Sequence, residues 1–372
     1  MKILQVLPAL ESGGVERGTV ELAAELVKRG HDSTVLSAGG PMVAQLEATG
    51  SRHVTRPIHR KSLVTLGQVR PVRRLLQSLR PDVVHVRSRM PAWVVYLAWK
   101  GLPVNERPVL VSTFHGMYSV NPYSAIMSKA EHLIAVSDCV RRYILDNYAV
   151  AEDRISVIQR GVDTRQFCEM PLDPAWRHQL LEDYPQLRDR RILLMPGRLS
   201  RWKGQLTFLE VIARMVREDA SVHGVIAGGL EGGKQRYRTE LESRIGELGL
   251  EDHITFLGQR SDMHELYLFA DLVCHLSTKP EPFGRTLTEA LASGTPVVAF
   301  ERGGAAETLR ACFPAGLVAP DDTRAFVQTA QRLLTQPRPA IEIPERFHLT
   351  AQTETTLAVY RGLLERHGRA VR

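Results

Sequence analysis

The chain has 372 residues, 44% hydrophobic and 24% charged, with a formal net charge of +7. That length predicts two domains, each with its own core, and the balance is that of a soluble globular protein. No apolar run approaches the roughly 20 residues of a membrane span, and Cys139, Cys168, Cys274 and Cys312 lack metal or Cys-x-x-Cys spacing, which argues for free thiols in a reducing, cytoplasmic setting.

The first run, "KILQVLPAL" (2–10), reads as a buried strand rather than a signal peptide. Its apolar stretch is short, Glu11 ends it, and no small-residue cleavage site follows. "SGGVERG" (12–18) then opens a helix over 14–29, where Val15, Leu22, Leu26 and Val27 recur at helical spacing. Gly13 and Gly14 at a strand-to-helix turn let the backbone approach a phosphate or sugar, although a tight turn alone also asks for glycine. The dinucleotide fingerprint Gly-x-Gly-x-x-Gly is absent, and the second strand, "STVLS" (33–37), ends without the acid that would hold a ribose. A nicotinamide dehydrogenase is therefore disfavoured.

A helix is expected near 42–49. Residues 50–90 then hold ten basic residues (Arg52, Arg56, Arg60, Lys61, Arg70, Arg73, Arg74, Arg80, Arg87 and Arg89) against the single acid Asp82. Such a stretch suits an anionic partner, whether an acidic membrane surface, a phosphorylated glycan or nucleic acid, and it also suits a plain solvated surface. No zinc-finger, RNP-type or convincing helix-turn-helix signal accompanies it, so nucleic acid is not expected.

"VVHVRS" (83–88), a helix over 92–100, "PVLVSTFHG" (108–116), "HLIAVS" (132–137) and "ISVIQRG" (155–161) complete a first βα set. His115 stands at a strand end before a glycine, where a histidine donates to a ligand oxygen, acts as a base, or is merely structural. Residues 164–190, with three prolines and mixed charge, break the rhythm and mark the boundary. A second set follows. Strands are expected at 191–197, 222–229, 253–259, 272–277, 296–300 and 316–320, and helices near 204–218, 234–248, 262–270, 286–293, 304–311 and 322–335. A last helix, 350–368, follows the Pro-rich 337–344. Strands alternating with helices predict two doubly wound parallel α/β domains, 1–165 and 166–345, whose ligands bind at the carboxyl ends of the strands.

The second set carries three more turns of interest. "PGRLSRWKGQ" (196–205) offers Arg198 as a fork and Lys203 as a point charge to one anionic group. It is not a Walker A loop, so ATP hydrolysis is not suggested. "KPEPFGRTLTEALASGTPVVAF" (279–300) places Glu281 in a turn and Glu289 in the helix that follows. Carboxylates accept well from vicinal hydroxyls, so sugar and ribose binding is one use; an acidic first helical turn is the ordinary alternative. A metal site would want denser spacing, and no Asp-x-Asp occurs. "GGAAE" (303–307) alone is a well-capped helix.

In order, "SGGVER", "FHG", "VS" (136–137), "RGVD" (160–163), "GRLSRWKG", the Glu-x7-Glu stretch with its "EALASGTPVV" tail, and "GGAAE" resemble the family 4 glycosyltransferases of the GT-B fold. The resemblance implies two Rossmann-like domains facing across a cleft, the first binding acceptor and the second a nucleotide-sugar. It implies that the last helix returns to the first domain. It also implies a retaining, metal-independent hexosyl transfer. Carried over residue by residue, Arg198 and Lys203 match the diphosphate-binding pair, Glu281 the glutamate near the donor sugar, and Glu289 the one that holds the ribose. Gly284, Arg285, Thr286 and Leu287 match the stretch facing phosphate and sugar, His115 the histidine near the transferred sugar, and Gly13 and Gly14 the glycine loop. No cofactor and no metal are implied, only a nucleoside diphosphate sugar as donor, with UDP the first expectation. Two positions depart from the family: Arg160 stands where Asn is frequent before "GVD", and Pro282 where Gly is frequent.

Bacterial members often build lipopolysaccharide core or related envelope glycans on anionic lipid-linked acceptors. The basic 50–90 stretch would then serve as a peripheral attachment to the inner face of the cytoplasmic membrane. A sugar-nucleotide 2-epimerase of similar architecture and a non-catalytic nucleotide-sugar- or nucleic-acid-binding protein are the alternatives.

Overall fold

The structure is a computed structural model that describes residues 1–230 and 235–368. The chain divides into two compact units. Unit 1 comprises Met1–Gly161 with Leu349–Arg372, and unit 2 comprises Val162–His348.

Unit 1 is built on a seven-stranded, all-parallel sheet: β1 (Lys2–Val6), β2 (Asp32–Ser37), β3 (Arg52–Thr55), β4 (Val83–Val86), β5 (Val109–Phe114), β6 (His132–Ala135) and β7 (Ile155–Val157), in the order β3-β2-β1-β4-β5-β6-β7. Central strands are covered on both faces, which is why "VVHV" and "VLVSTF" are buried at every position. Polar residues inside them are paired across the sheet. His85 Nε2 lies 2.5 Å from Thr113 Oγ1 on β5, and His132 Nε2 lies 2.8 Å from Ser156 Oγ on β7. β3 escapes the sequence reading because "RHVT" has one apolar residue and lies at the sheet edge, half-exposed. The helices Val69–Leu79 and Asp138–Asn147 also lie in unit 1 and are likewise additional to the expected elements.

The last helix, Leu349–Arg366, packs on unit 1. Leu357, Tyr360, Leu363 and Leu364 join Ile3, Leu22, Leu26, Val83, Val109 and Val111 in one cluster. Each such side chain contributes about 1.5–3 kcal/mol by burial. Tyr360 is fully buried, with its hydroxyl 2.6 Å from His85 Nδ1.

Unit 2 repeats the plan with β8 (Arg191–Pro196), β9 (Val222–Ala227), β10 (Ile254–Gly258), β11 (Leu272–His275), β12 (Val297–Phe300) and β13 (Leu317–Val318), all parallel, in the order β10-β9-β8-β11-β12-β13. The helix expected at 234–248 is observed as Gln235–Leu248, and residue 234 lies outside the described residues. The boundary stretch 164–190 is not all irregular. Pro174–Asp183 is helical, with Asp173 capping it through Ala175 N at 2.9 Å and Pro174 at its first position.

In each sheet the chain order reverses once, between β1 and β4 and between β8 and β11. Loops leaving neighbouring strands at such a point diverge and open a crevice at the carboxyl edge. His115, Arg198, Lys203, Glu281 and Arg285 lie in a loop, short turn or helix start after a strand, and Glu289 lies within the helix Arg285–Ala292.

Candidate active site

In unit 2 the loop after β8 runs through Arg198 to a short turn, Arg201–Lys203, and the helix Gln205–Val216. Gly204 joins them with φ 85°, and a Cβ there would stand 2.0 Å from Leu276 O. Only glycine permits this, and the approach ties the β8 loop to the end of β11. Arg198 is exposed, and its carbonyl accepts from Gln205 Nε2 at 3.1 Å. Lys203 turns inward, over the Trp202 ring at 4.3 Å, and its Nζ lies 2.7 Å from Glu281 Oε1.

Glu281 is 8% exposed. Ser277 Oγ donates to its Oε2 at 2.9 Å, and His275 Nε2 stands 3.4 Å from the same oxygen. Burial pushes the carboxyl up. The hydrogen bond from His275 and the charge of Lys203 outweigh burial and hold it well below the usual carboxylate range. A carboxylate so stabilised is a weak base and a poor nucleophile. It keeps a lone pair to accept a hydroxyl. Its backbone carbonyl accepts from Gly304 N at 2.7 Å, which docks the "GGAAE" helix, Gly303–Cys312, against the turn.

Gly284 (φ 88°, ψ 60°) precedes the helix Arg285–Ala292, whose N-terminus has no side-chain cap. Asp173 and Asp322 cap two other helices of unit 2, the latter on Ala325 N at 2.8 Å, while Gln205–Val216, Met263–Phe269 and Gly303–Cys312 also start without a side-chain cap. Bare amides at a helix start favour an anion. Thr286 is half-buried here and Leu287 fully buried. Glu289, 2% exposed, accepts from Arg285 Nε at 2.9 Å and from the Tyr267 hydroxyl at 3.2 Å. Lys203, Glu281 and Gly284 thus share one edge. Glu289 lies on the same short helix, already engaged by two protein donors.

Sequence reading missed His275, Ser277 and Tyr267. The polar break in "LVCHLS" is a signal for the first two; nothing in "ELYLFAD" marks Tyr267. Among the described residues, no group of three or more His, Cys, Asp and Glu side chains could hold a metal ion.

In unit 1, Gly13 and Gly14 open the helix Gly14–Lys28, again without a side-chain cap. Arg160, in the loop after β7, lays its NH1 3.0 Å from where a Cβ on Gly14 would stand. Its NH2 lies 3.3 Å from His115 Nδ1. A guanidinium can only donate, so His115 Nδ1 accepts. Burial first, then the charges of Arg160, Arg87 and His85, hold the His115 ring well below its usual pKa and therefore neutral. The neutral ring carries its proton on Nε2, a buried atom with no partner among the described residues. His115 thus offers a free N–H donor rather than a base.

Arg87 corrects the reading of 50–90 as one surface stretch. It is 3% exposed and donates from NH1 to Gln5 Oε1 at 2.5 Å, because it follows the central strand β4. Arg73 and Arg89 are half-buried, and the other seven cations are exposed.

The comparisons with known proteins bear on both units. Residues 12–166 match the model of "Glycosyltransferase Family 4" and residues 179–353 that of "Glycosyl transferases group 1". A glycosyltransferase from Rickettsia africae, solved by crystallography, is 31% identical over 98% of each chain, with a TM-score of 0.85. Anabaena HepE, solved with UDP-glucose, superposes with a TM-score of 0.78 over 96% of this chain and 100% of that one, at 24% identity. A phosphatidyl-myo-inositol mannosyltransferase of Mycobacterium leprae is 29% identical over 87% of this chain and 84% of that protein. Two all-parallel α/β units, their site residues at the carboxyl edges, and these matches agree: the chain belongs to glycosyltransferase family 4 and has the GT-B fold.

Proposed function

We propose that this glycosyltransferase moves a hexose, with retention and without a metal ion, from a nucleoside diphosphate sugar to an anionic glycan or lipid-linked acceptor of the cell envelope. Lipopolysaccharide core synthesis is the setting that the sequence resemblance suggests. Unit 2 binds the donor and unit 1 the acceptor. The observation that carries the reading is the Lys203–Glu281 pair beside the uncapped helix at Gly284. The pair brings a cation, an acceptor carboxylate and backbone donors to one edge.

Breaking the anomeric C–O bond puts negative charge on the leaving diphosphate. Lys203 spends one of its three N–H donors on Glu281 and keeps others for a phosphate oxygen. Arg198 adds a fork, and the Gly284 amides add fixed dipoles. Glu281 accepts a hydroxyl of the sugar, and Glu289 accepts a ribose hydroxyl beside the bonds from Arg285 and Tyr267. UDP is the first nucleotide to test, as HepE was solved with UDP-glucose.

The enzyme acts at the inner face of the cytoplasmic membrane. Arg56, Arg60, Lys61, Arg70 and Arg74 are exposed in unit 1, and Val64, 78% exposed, stands among them. Cations with an apolar tip fit an anionic lipid surface.

The test is donor turnover in the presence of EDTA over a panel of nucleotide sugars. Losing one charge contact at the leaving phosphate costs about 3 kcal/mol, a hundredfold or more in rate. Arg198→Ala is expected to lose at least that while keeping its Tm. Near-normal turnover of the variant, or turnover abolished by EDTA and restored by magnesium, would overturn the assignment. A C2-epimerised sugar released with no acceptor present would favour an epimerase.

A further inference from the structure

At the carboxyl edge of unit 1 several donors converge, and two of them, Arg87 Nε and His115 Nε2, are buried with no partner among the described residues. Arg87 leaves β4 beside β1, at the point where strand order reverses. Its guanidinium is buried, and its Nε has no partner among the described residues. Its NH1 donates to the neutral Gln5. His115 presents Nε2–H, also buried and unpartnered. Tyr118 accepts the His115 backbone N–H at 3.4 Å, which leaves its hydroxyl proton to donate. The charges acting on that hydroxyl are those of Arg89, Arg160 and Arg87, and those acting on the His115 ring include Arg160 and Arg87. On Arg87 itself burial acts first, and then the charges of Tyr360, Glu21 and Glu16. The uncapped start of the helix Gly14–Lys28 lies under Arg160.

Arginines gathered around a tyrosine hydroxyl repel one another, and burial deepens that cost unless an anion completes the set. A neutral sugar hydroxyl both donates and accepts. It leaves donor opposed to donor here. A group with acceptors only satisfies every open N–H. Around the cluster, Arg89 lies 4.9 Å from the Tyr118 ring centroid and 5.4 Å from that of Tyr123, with Lys61 4.4 Å over the Tyr123 ring. Aromatic faces beside cations suit a sugar ring that carries the anion.

We propose that Arg87, Arg160, His115 and Tyr118 form an anion-recognition site in unit 1 that selects an acceptor sugar bearing a phosphate or carboxylate. The inference rests on the reading of unit 1 as the acceptor unit and adds the chemical class that it takes. Arg160, the departure from the family's frequent Asn, and Arg87 are the specificity-determining residues.

The experiment follows the His115 ring resonance in the full chain by NMR during titration with glucose 6-phosphate, glucuronate or glucose. A saturable shift with either anionic sugar, and none with glucose, is expected; which one is tighter tells phosphate from carboxylate. Arg160→Asn should weaken the response at least tenfold and Arg87→Gln likewise, while Arg198→Ala in unit 2 should leave it intact. Arg160 is half-buried, so its variant carries the test if Arg87→Gln fails to fold. No saturable shift, an equal response to glucose, or a response lost in Arg198→Ala instead would overturn the site. UDP-glucose binding on the same sample separates the two readings. Donor binding without the anion response sinks this site alone. The anion response with no nucleotide sugar bound sinks the donor assignment of unit 2 alone.

Discussion

Lys203 and Glu281 show how the proposed donor site is stored in a folded chain. Lys203 is half-buried and Glu281 buried, with side-chain exposures of 17% and 11%, and each neutralises the other. Removing one partner strands the other charge in a poor solvent, at about 3 kcal/mol. Lys203→Met is therefore expected to lower urea stability by about that amount as well as to weaken donor binding. The double variant with Glu281→Gln should recover part of the stability and none of the binding. Equal stabilities of wild type and Lys203→Met in urea would show that the pair is not coupled. The spacing of Glu281 and Glu289 was legible in the sequence. That both are already held by donors, Lys203 with Ser277 and Arg285 with Tyr267, was not, because Lys203 is brought in from a different strand loop and Tyr267 from a different helix.

At the scale of elements, glycines punctuate the site loops for reasons of space. Gly204 is the clearest, with Leu276 O 2.0 Å from a would-be Cβ. The next residue is Ser277, which holds Glu281. Gly204→Ala should thus cost clearly more than 1–2 kcal/mol and move Glu281 enough to weaken donor binding about tenfold. Gly249→Ala is the control: φ is +64° and nothing lies within 4 Å of the added atom, so only the left-handed strain of about 1–2 kcal/mol remains. Similar melting temperatures and donor affinities for the two variants would refute the argument. Most strands and helices were legible because apolar runs and helical spacing are local signals. β3, with "RHVT" at an edge, was not, since an edge strand buries too little to leave a pattern.

At the scale of the whole molecule, both sheets bury histidines in their strands. His132 in unit 1 and His223 in unit 2 are each pushed down to about 4 from the ordinary 6.5, by burial first and then by nearby arginines. The unfolded chain binds these protons between pH 6.5 and about 4 and the folded chain does not. Their contribution is complete above the unfolded value and is lost as pH falls through this window. Both units should melt at lower temperature at pH 4.5 than at pH 7.5, and His132→Gln should flatten the dependence for unit 1. A Tm independent of pH across that range would contradict the burial of neutral imidazoles.

The sequence by itself determined the alternation of strands and helices, the strand-to-helix turns that carry Gly13, Arg198, Lys203, Glu281 and Gly284, and the family they spell. These are properties of short windows, where periodicity, glycine and charge are written next to one another. Only the tertiary structure decided that Arg87 leaves the basic surface for the interior, that Arg160 crosses to Gly14 and His115, and that Tyr360 reaches His85 from the far end of the chain. Those pairings join residues separated by 45 to 275 positions, and their burial depends on which strands become neighbours. Sheet order settles that, and no local pattern records it.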